Sequence, residues 1–265
     1  MDWSRAKSIF IITFLLLNLF LGYQLNEKRD ASNISVLLEA TLHERLSEMN
    51  IAIAVELIEE QITGTYISGS SDLSLETTID SENPTQQLVE AGDEFVTVEL
   101  KEPFPLIYNE HNSISVQAQE FIRQQIVNGD EYRFSHFDEE LKQIYFYQTY
   151  EGKKVDNYES GRFPLLLQLD KKSQVISYEQ NYLTIQPIHP QGKEQEVITS
   201  IKAIEKLFNE QLIPPDSEIN KVELSYFSFF NPLGEVQVFA PMWNIGVNEQ
   251  VYYVNAIDGA IQNIQ

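Results

Sequence analysis

The sequence predicts an α+β protein in which one N-terminal transmembrane helix, residues 8–25, precedes an extracytoplasmic region of two tandem modules, each a helix followed by an antiparallel sheet. Three observations predict it. Ser8 to Tyr23 is an uncharged run dominated by Ile, Leu and Phe. From about Ser113 a helical period gives way to alternating strand-like runs, and the same order restarts beyond a proline-rich joint. Leu165-Leu166-Leu167-Gln168-Leu169-Asp170 and Tyr252-Tyr253-Val254-Asn255-Ala256-Ile257-Asp258 read as one strand used twice.

The apolar run comes first. As a helix, Ala6 to Tyr23 extends roughly 27 Å, close to the hydrocarbon thickness of a bilayer. A cleaved signal peptide would need small residues at its exit, and Phe20-Leu21-Gly22-Tyr23-Gln24-Leu25-Asn26 has no A-x-A-like pair, so an uncleaved anchor is expected. Arg5 and Lys7 precede the span, whereas Glu27, Lys28, Arg29 and Asp30 cancel after it. The positive-inside bias therefore keeps residues 1–7 cytoplasmic and sends everything from about Asn26 outside the cell membrane.

Residues 26–112 form a membrane-proximal region. Leu38, Leu42, Leu46 and Met49 fall at helical spacing, which predicts a helix from about Ser35 to Asn50. Short strands are expected at Ile51–Val55 and Thr65–Ser68, then a long polar loop from Gly69 to Pro84. Phe95 to Leu100 alternates until Pro103-Phe104-Pro105, where the strand is expected to stop.

The first module spans residues 113–186. Ile114, Ala118, Phe121, Ile122 and Ile126 mark its helix, closed by Asn128-Gly129 in a left-handed cap. Strands follow at Tyr132–Phe137, Gln143–Tyr150, Lys153–Tyr158, Phe163–Asp170 and Gln174–Leu183, with hairpin turns at Glu151-Gly152 and Lys171-Lys172-Ser173. Gln186-Pro187-Ile188-His189-Pro190-Gln191-Gly192 is the joint, because its prolines and glycine interrupt strand pairing. The second module, 192–265, opens with a helix marked by Val197, Ile201, Ile204 and Phe208. It continues as strands at Ile219–Phe230, Glu235–Asn244, Gln250–Asn255 and Ala260–Ile264.

Composition narrows the function. The chain has 40 acidic and 18 basic residues, a net charge of −22. Residues 1–30 hold four basic and three acidic side chains, so the remainder carries the whole excess. An exterior this acidic repels nucleic acid and anionic headgroups, which excludes a nucleic-acid partner and leaves membrane contact to the helix. Cysteine is absent, so neither a disulfide framework nor a thiolate metal site exists. His43, His111, His136 and His189 lack metal-ligand spacing, and Glu59-Glu60 and Asp138-Glu139-Glu140 lack the glycine turn of a calcium loop. No G-x-S-x-G, P-loop or G-x-G-x-x-G occurs. The reading is a non-enzymatic protein with no metal and no cofactor.

What remains is protein contact. Within the span the polar residues are Thr13 and Asn18. An asparagine there either bonds across a helix pair, for about 0.6 to 2 kcal/mol, or is tolerated near the outer interface. Phe14, Leu17, Asn18 and Leu21 share one helix face by i, i+3, i+4 and i+7 spacing and are the candidate partner-binding residues.

Met1-Asp2-Trp3-Ser4-Arg5-Ala6-Lys7-Ser8-Ile9-Phe10-Ile11-Ile12, continuing through Phe14-Leu15-Leu16-Leu17-Asn18-Leu19-Phe20-Leu21, resembles the amino terminus of the YycI (WalI) family. The length, the acidic exterior, the lack of cysteine and the closing Tyr252 to Gly259 segment agree with it. The resemblance implies a single-span, outward-facing accessory of the essential WalK/WalR (YycG/YycF) two-component system, acting on the sensor histidine kinase WalK together with a YycH-like protein. It also implies YycH-like and PepSY-like folding of the external modules. The alternative is a tethered external binding module or inhibitor of a cell-wall enzyme, for which the identity of the membrane helix would not matter.

Overall fold

A computed structural model describes residues 7, 10–21, 42–58, 62–71, 86–91, 95–107, 113–157, 163–188, 195–228 and 236–263. Residues 10–21 are helical and exposed throughout, and a short second helix covers 42–48. Among the described residues no helix is long and apolar enough to cross a membrane. The rest of the expected span 8–25 and of the helix from Ser35 lies outside the described residues.

The remaining elements make an α+β fold that is mostly strand. The N-terminal third contributes β1 (Ala52–Ile53), β2 (Thr63–Gly64), β3 (Ile67–Ser71), β4 (Gln86–Ala91) and β5 (Val96–Pro105). Helix α1 (Ile114–Gln125) leads into β6 (Tyr132–Asp138), β7 (Gln143–Tyr150), β8 (Lys153–Asn157), β9 (Leu165–Leu169), β10 (Gln174–Gln180) and β11 (Leu183–Pro187). After β12 (Gln195–Glu196), helix α2 (Ser200–Asn209) leads into β13 (Glu218–Ser228), β14 (Val236–Val247), β15 (Gln250–Asn255) and β16 (Ile261–Asn263).

Local chemistry explains the boundaries. Ser113 and Thr199 are the N-caps of α1 and α2; each hydroxyl accepts a bond from the backbone N–H three residues on, Val116 and Lys202 respectively. β7 buries Ile144, Phe146 and Gln148, and β9 buries Leu165, Leu167 and Leu169, the period of two that the sequence displays. Glu151 and Gly152 both take positive φ, 49° and 76°, the geometry of a tight hairpin turn.

Two helix-plus-sheet units result. In the first, α1 covers one face of the antiparallel order β6-β7-β9-β10-β5-β4, and Phe121, Ile122, Tyr132, Ile144, Phe146, Leu165, Leu167 and Tyr178 fill the core. In the second, α2 and the 42–48 helix cover the meander β13-β14-β15-β16, with Leu42, Leu46, Ile204, Leu207, Trp243, Ile245 and Val254 inside. The Trp243 indole N–H donates to the Ile198 carbonyl at 2.8 Å. Helix then four-strand meander occurs twice, with β9 in the place of β15, and β8 is an insertion peculiar to the first copy.

The structure departs from the sequence-based picture in four places. β8 leaves its hairpin and pairs in parallel with β13, Val155 opposite Tyr226 and Asn157 opposite Ser228, so one hydrogen-bonded sheet passes from unit to unit. Closed modules over 113–186 and 192–265 are therefore replaced by two cores on one sheet. The 26–112 region is not a separate layer, because β4 and β5 extend the first sheet while β1 and β3 join β13 and β14. β5 runs through Pro103, which sits where the β5–β10 register slips between Glu99 and Phe104 and no ladder N–H is needed. Finally, Gln174–Leu183 breaks at Asn181, whose N–H bonds Pro164, and the chain crosses to pair β11 with β3 as far as Pro187. The first residues of the expected joint are thus a paired strand; His189 to Gly192 lie outside the described residues.

Candidate partner-binding surfaces

Phe14, Leu17, Asn18 and Leu21 all fall within the helical 10–21 segment. Phe14 is 67% exposed and Leu17 and Leu21 are 50% exposed, so this face packs against no other element among the described residues. Asn18 Nδ2 donates to the Phe14 carbonyl oxygen at 2.8 Å, a bond inside its own helix. Such back-bonding lets an amide sit in an apolar helix without a partner, and it uses one of the two N–H groups.

The second surface ties the start of the chain to its end. The 42–48 helix buries Leu42 and Leu46 in the second core. Arg45 lies 4.6 Å over the Phe208 ring and donates to Asn209 Oδ1 at 2.8 Å, while Asn50 donates to Asp216 Oδ1 at 2.7 Å. The Asp216 N–H bonds the Met49 carbonyl, and β1 then continues alongside β13. Residues 42–53 are thus anchored on the second unit.

The seam between units was not visible in the sequence. Its apolar part is small: Ile67, Val155, Tyr226 and Phe239, with Tyr150 edge-on to Tyr226 at 5.8 Å. Its polar part is larger. Buried Gln148 donates to the Leu183 carbonyl at 2.8 Å and accepts from the Leu183 N–H at 3.0 Å, filling the place of a neighbouring strand. Lys154 pairs with Asp156 at 2.5 Å and lies 5.5 Å over Tyr147. Tyr253, its ring tilted against Phe227 at 4.3 Å, has its phenol pushed up to about 12 by burial and by the Asp156 carboxylate. Ser225 Oγ and Asn244 Oδ1 are buried without a hydrogen-bond partner. In the structure Leu224 to Ser228 are buried at every residue, as in a strand covered on both faces.

Elsewhere the polar groups serve the fold. Tyr132 donates to the Asn181 carbonyl at 2.6 Å and Tyr178 to Gln86 Oε1 at 2.8 Å; burial raises both phenols well above their usual range, so they remain donors. His136 is exposed and stacks on Tyr145 at 4.6 Å. His111 and His189 lie outside the described residues. Among the described residues no three His, Asp or Glu side chains are grouped to hold a metal.

Two outward faces remain open to another protein. On β14, β3 and β11, the cross-strand rungs Val238-Ser68-Gln186 and Val236-Ser70-Thr184 carry no charge, and Val236 and Val238 are 51% and 48% exposed. On the first sheet, His136, Tyr145 and Phe163 form a cluster on the side away from α1.

The sequence signature of the YycI family, described as YycI protein, matches residues 30–257. The chain belongs to the YycI family. Among solved structures this YycI-family chain is similar to an uncharacterised protein from Eubacterium rectale ATCC 33656, at 10% identity and a TM-score of 0.47, covering 82% of this chain and 91% of that one. It is also similar to YycH from Bacillus subtilis, at 14% identity and a TM-score of 0.38, covering 72% of this chain and 52% of that one. The YycI chain thus spans about half the length of that YycH structure. No curated protein matches it.

Proposed function

We propose that this YycI-family chain is a membrane-anchored, extracytoplasmic regulator that modulates the sensor kinase WalK (YycG) through transmembrane and external contacts, together with a YycH-like partner. The observation that carries the reading is the family match over residues 30–257, which supports a role in the WalK/WalR (YycG/YycF) system. The exposed face of Phe14, Leu17, Asn18 and Leu21 supports helix packing beside the kinase. Asn18 keeps its carbonyl oxygen and one N–H for a neighbouring helix, a contact of about 0.6 to 2 kcal/mol in a membrane. A kinase that switches by small shifts of packed helices can be biased by a coupling of about 1 to 3 kcal/mol. The proposal assigns no bond-making step, metal or cofactor to any side chain.

Two experiments test it. Protease added to intact protoplasts should digest the chain beyond Asn26 while the N-terminal helix stays in the membrane fraction; a soluble form beginning near Gln24 would overturn the anchor. Replacing residues 8–25 with an unrelated apolar span, and separately Asn18→Leu, should reduce recovery of the kinase with this chain from detergent-solubilised membranes. If the span swap leaves kinase recovery and reporter output unchanged, the helix is a tether. The external faces would then carry the activity, as in a binding module or inhibitor of a cell-wall enzyme.

A further inference from the structure

We infer that the β8·β13 seam is a hinge, about which the first unit turns as a rigid body against the second. Three observations lead there. Among the described residues the first core has fifteen buried apolar residues and the second eighteen, whereas the cluster between them has four. Apolar burial sets local stability, so the seam opens at far lower free energy than either core. Next, among the described residues β8 pairs with β7 at Lys153 and Lys154 alone, so the Val155 to Asn157 stretch has β13 as its one described strand neighbour. Last, the seam is polar where the cores are not. Gln148, Ser225 and Ser228 are buried along it, and Ser225 Oγ lacks a partner, so opening hydrates a group that the closed seam leaves unsatisfied.

The hinge has a fixed side and a free side. The 42–48 helix and β1 belong to the second unit, so residues 42–53 move with it. The first unit is carried by β8, by Gln148 on Leu183, and by β11 on β3. A partner protein that touches both units therefore selects one angle between the first unit and residues 42–53, which are held on the second. The inference concerns the chain itself and stands whichever protein is the partner.

Native-state hydrogen exchange on the full chain in detergent tests it. Successive N–H groups of a strand face opposite edges, so the amides that report are those bonded across the seam, among Val155 to Asn157 of β8 and Tyr226 to Ser228 of β13. These should exchange at least roughly tenfold faster than the bonded amides of β9 in the first core and β15 in the second, as expected of a sub-global opening. The chain has no cysteine, so Asn157→Cys with Ser228→Cys makes a single lock. These residues are register partners in parallel strands, about 4.8 Å apart, inside the range a disulfide spans. Oxidation should slow the amides bonded across the seam to the rate of the cores, and reduction should restore the faster rate. Seam amides as protected as the cores in the unmodified chain overturn the hinge. So does a lock that forms and leaves their exchange unchanged. If the double variant does not fold, the unmodified profile decides alone.

Discussion

Gln148 offers a direct measure of how the two units hold together. Its amide is 1% exposed and makes two bonds to one residue, donating to the Leu183 carbonyl at 2.8 Å and accepting from the Leu183 N–H at 3.0 Å. Gln148→Ala removes both bonds, at about 1 kcal/mol each, and leaves a void, for a total of about 2 to 4 kcal/mol. Gln148→Leu refills the void but leaves the Leu183 backbone unpaired, and should cost about 1 to 3 kcal/mol. Gln148→Glu makes the loss depend on pH. Burial disfavours the carboxylate and raises the introduced group above its unfolded value of about 4.3. The protonated form can still donate to Leu183, so stability is fully present below about pH 4.3 and is lost as pH rises through the raised folded value. Urea unfolding of the detergent-solubilised chain, followed by circular dichroism at several pH values, gives all three numbers. A loss under about 0.5 kcal/mol for the alanine variant, the scale of a surface substitution, would refute the bridging role.

Two further substitutions probe the local arguments. A Cβ at Gly129 would stand 1.8 Å from the Ile122 carbonyl oxygen, so Gly129→Ala should displace the end of α1 and cost about 3 kcal/mol, whereas Gly152→Ala meets no atom within 4 Å and should cost about 1 to 2 kcal/mol for its positive φ alone. The reverse ranking of unfolding midpoints would show that the close approach is not decisive. Leu46→Ala should cost about 2 to 5 kcal/mol and expose the 42–48 helix to protease, because Leu46 is 1% exposed in the second core. Unchanged cleavage would mean that the helix is held by Arg45 and Asn50 instead.

The parts legible in the sequence are those set by local periodicity. Ala118, Phe121 and Ile122 repeat at helical spacing and are buried in α1, and Gln143–Tyr150 and Gln250–Asn255 alternate and are the observed strands. Pairing between distant segments leaves no such trace. Nothing in Lys153-Lys154-Val155-Asp156-Asn157 announces a parallel neighbour seventy residues later, and Ala52–Ile53 is too short to name Glu218 as its partner. Pro103 and Pro187 were read as stops because proline lacks a ladder N–H, yet one sits in a register slip and the other at a strand end, where none is required. Asn128, not Gly129, holds the left-handed conformation after α1, since an asparagine tolerates it and the glycine is needed for its missing Cβ. Of the candidate surfaces, the Phe14 to Leu21 face follows from spacing, while the seam depends on which strands meet.

The interleaving of early and late strands also sets an order of assembly. All strands of the first unit, β4 to β7, β9 and β10, come from residues 86–180, so its core is complete while synthesis is still under way. The second unit cannot close then. The core that takes Leu42, Leu46 and Ile51 is built largely from Val197 and the residues that follow it, and β1 must wait for β13. Closing so long a loop is slow, because its entropy is lost before the contacts form. During that interval the 42–48 helix has no core to rest on, and a nascent or C-terminally truncated chain would present Leu42 and Leu46 bare beside an already finished domain.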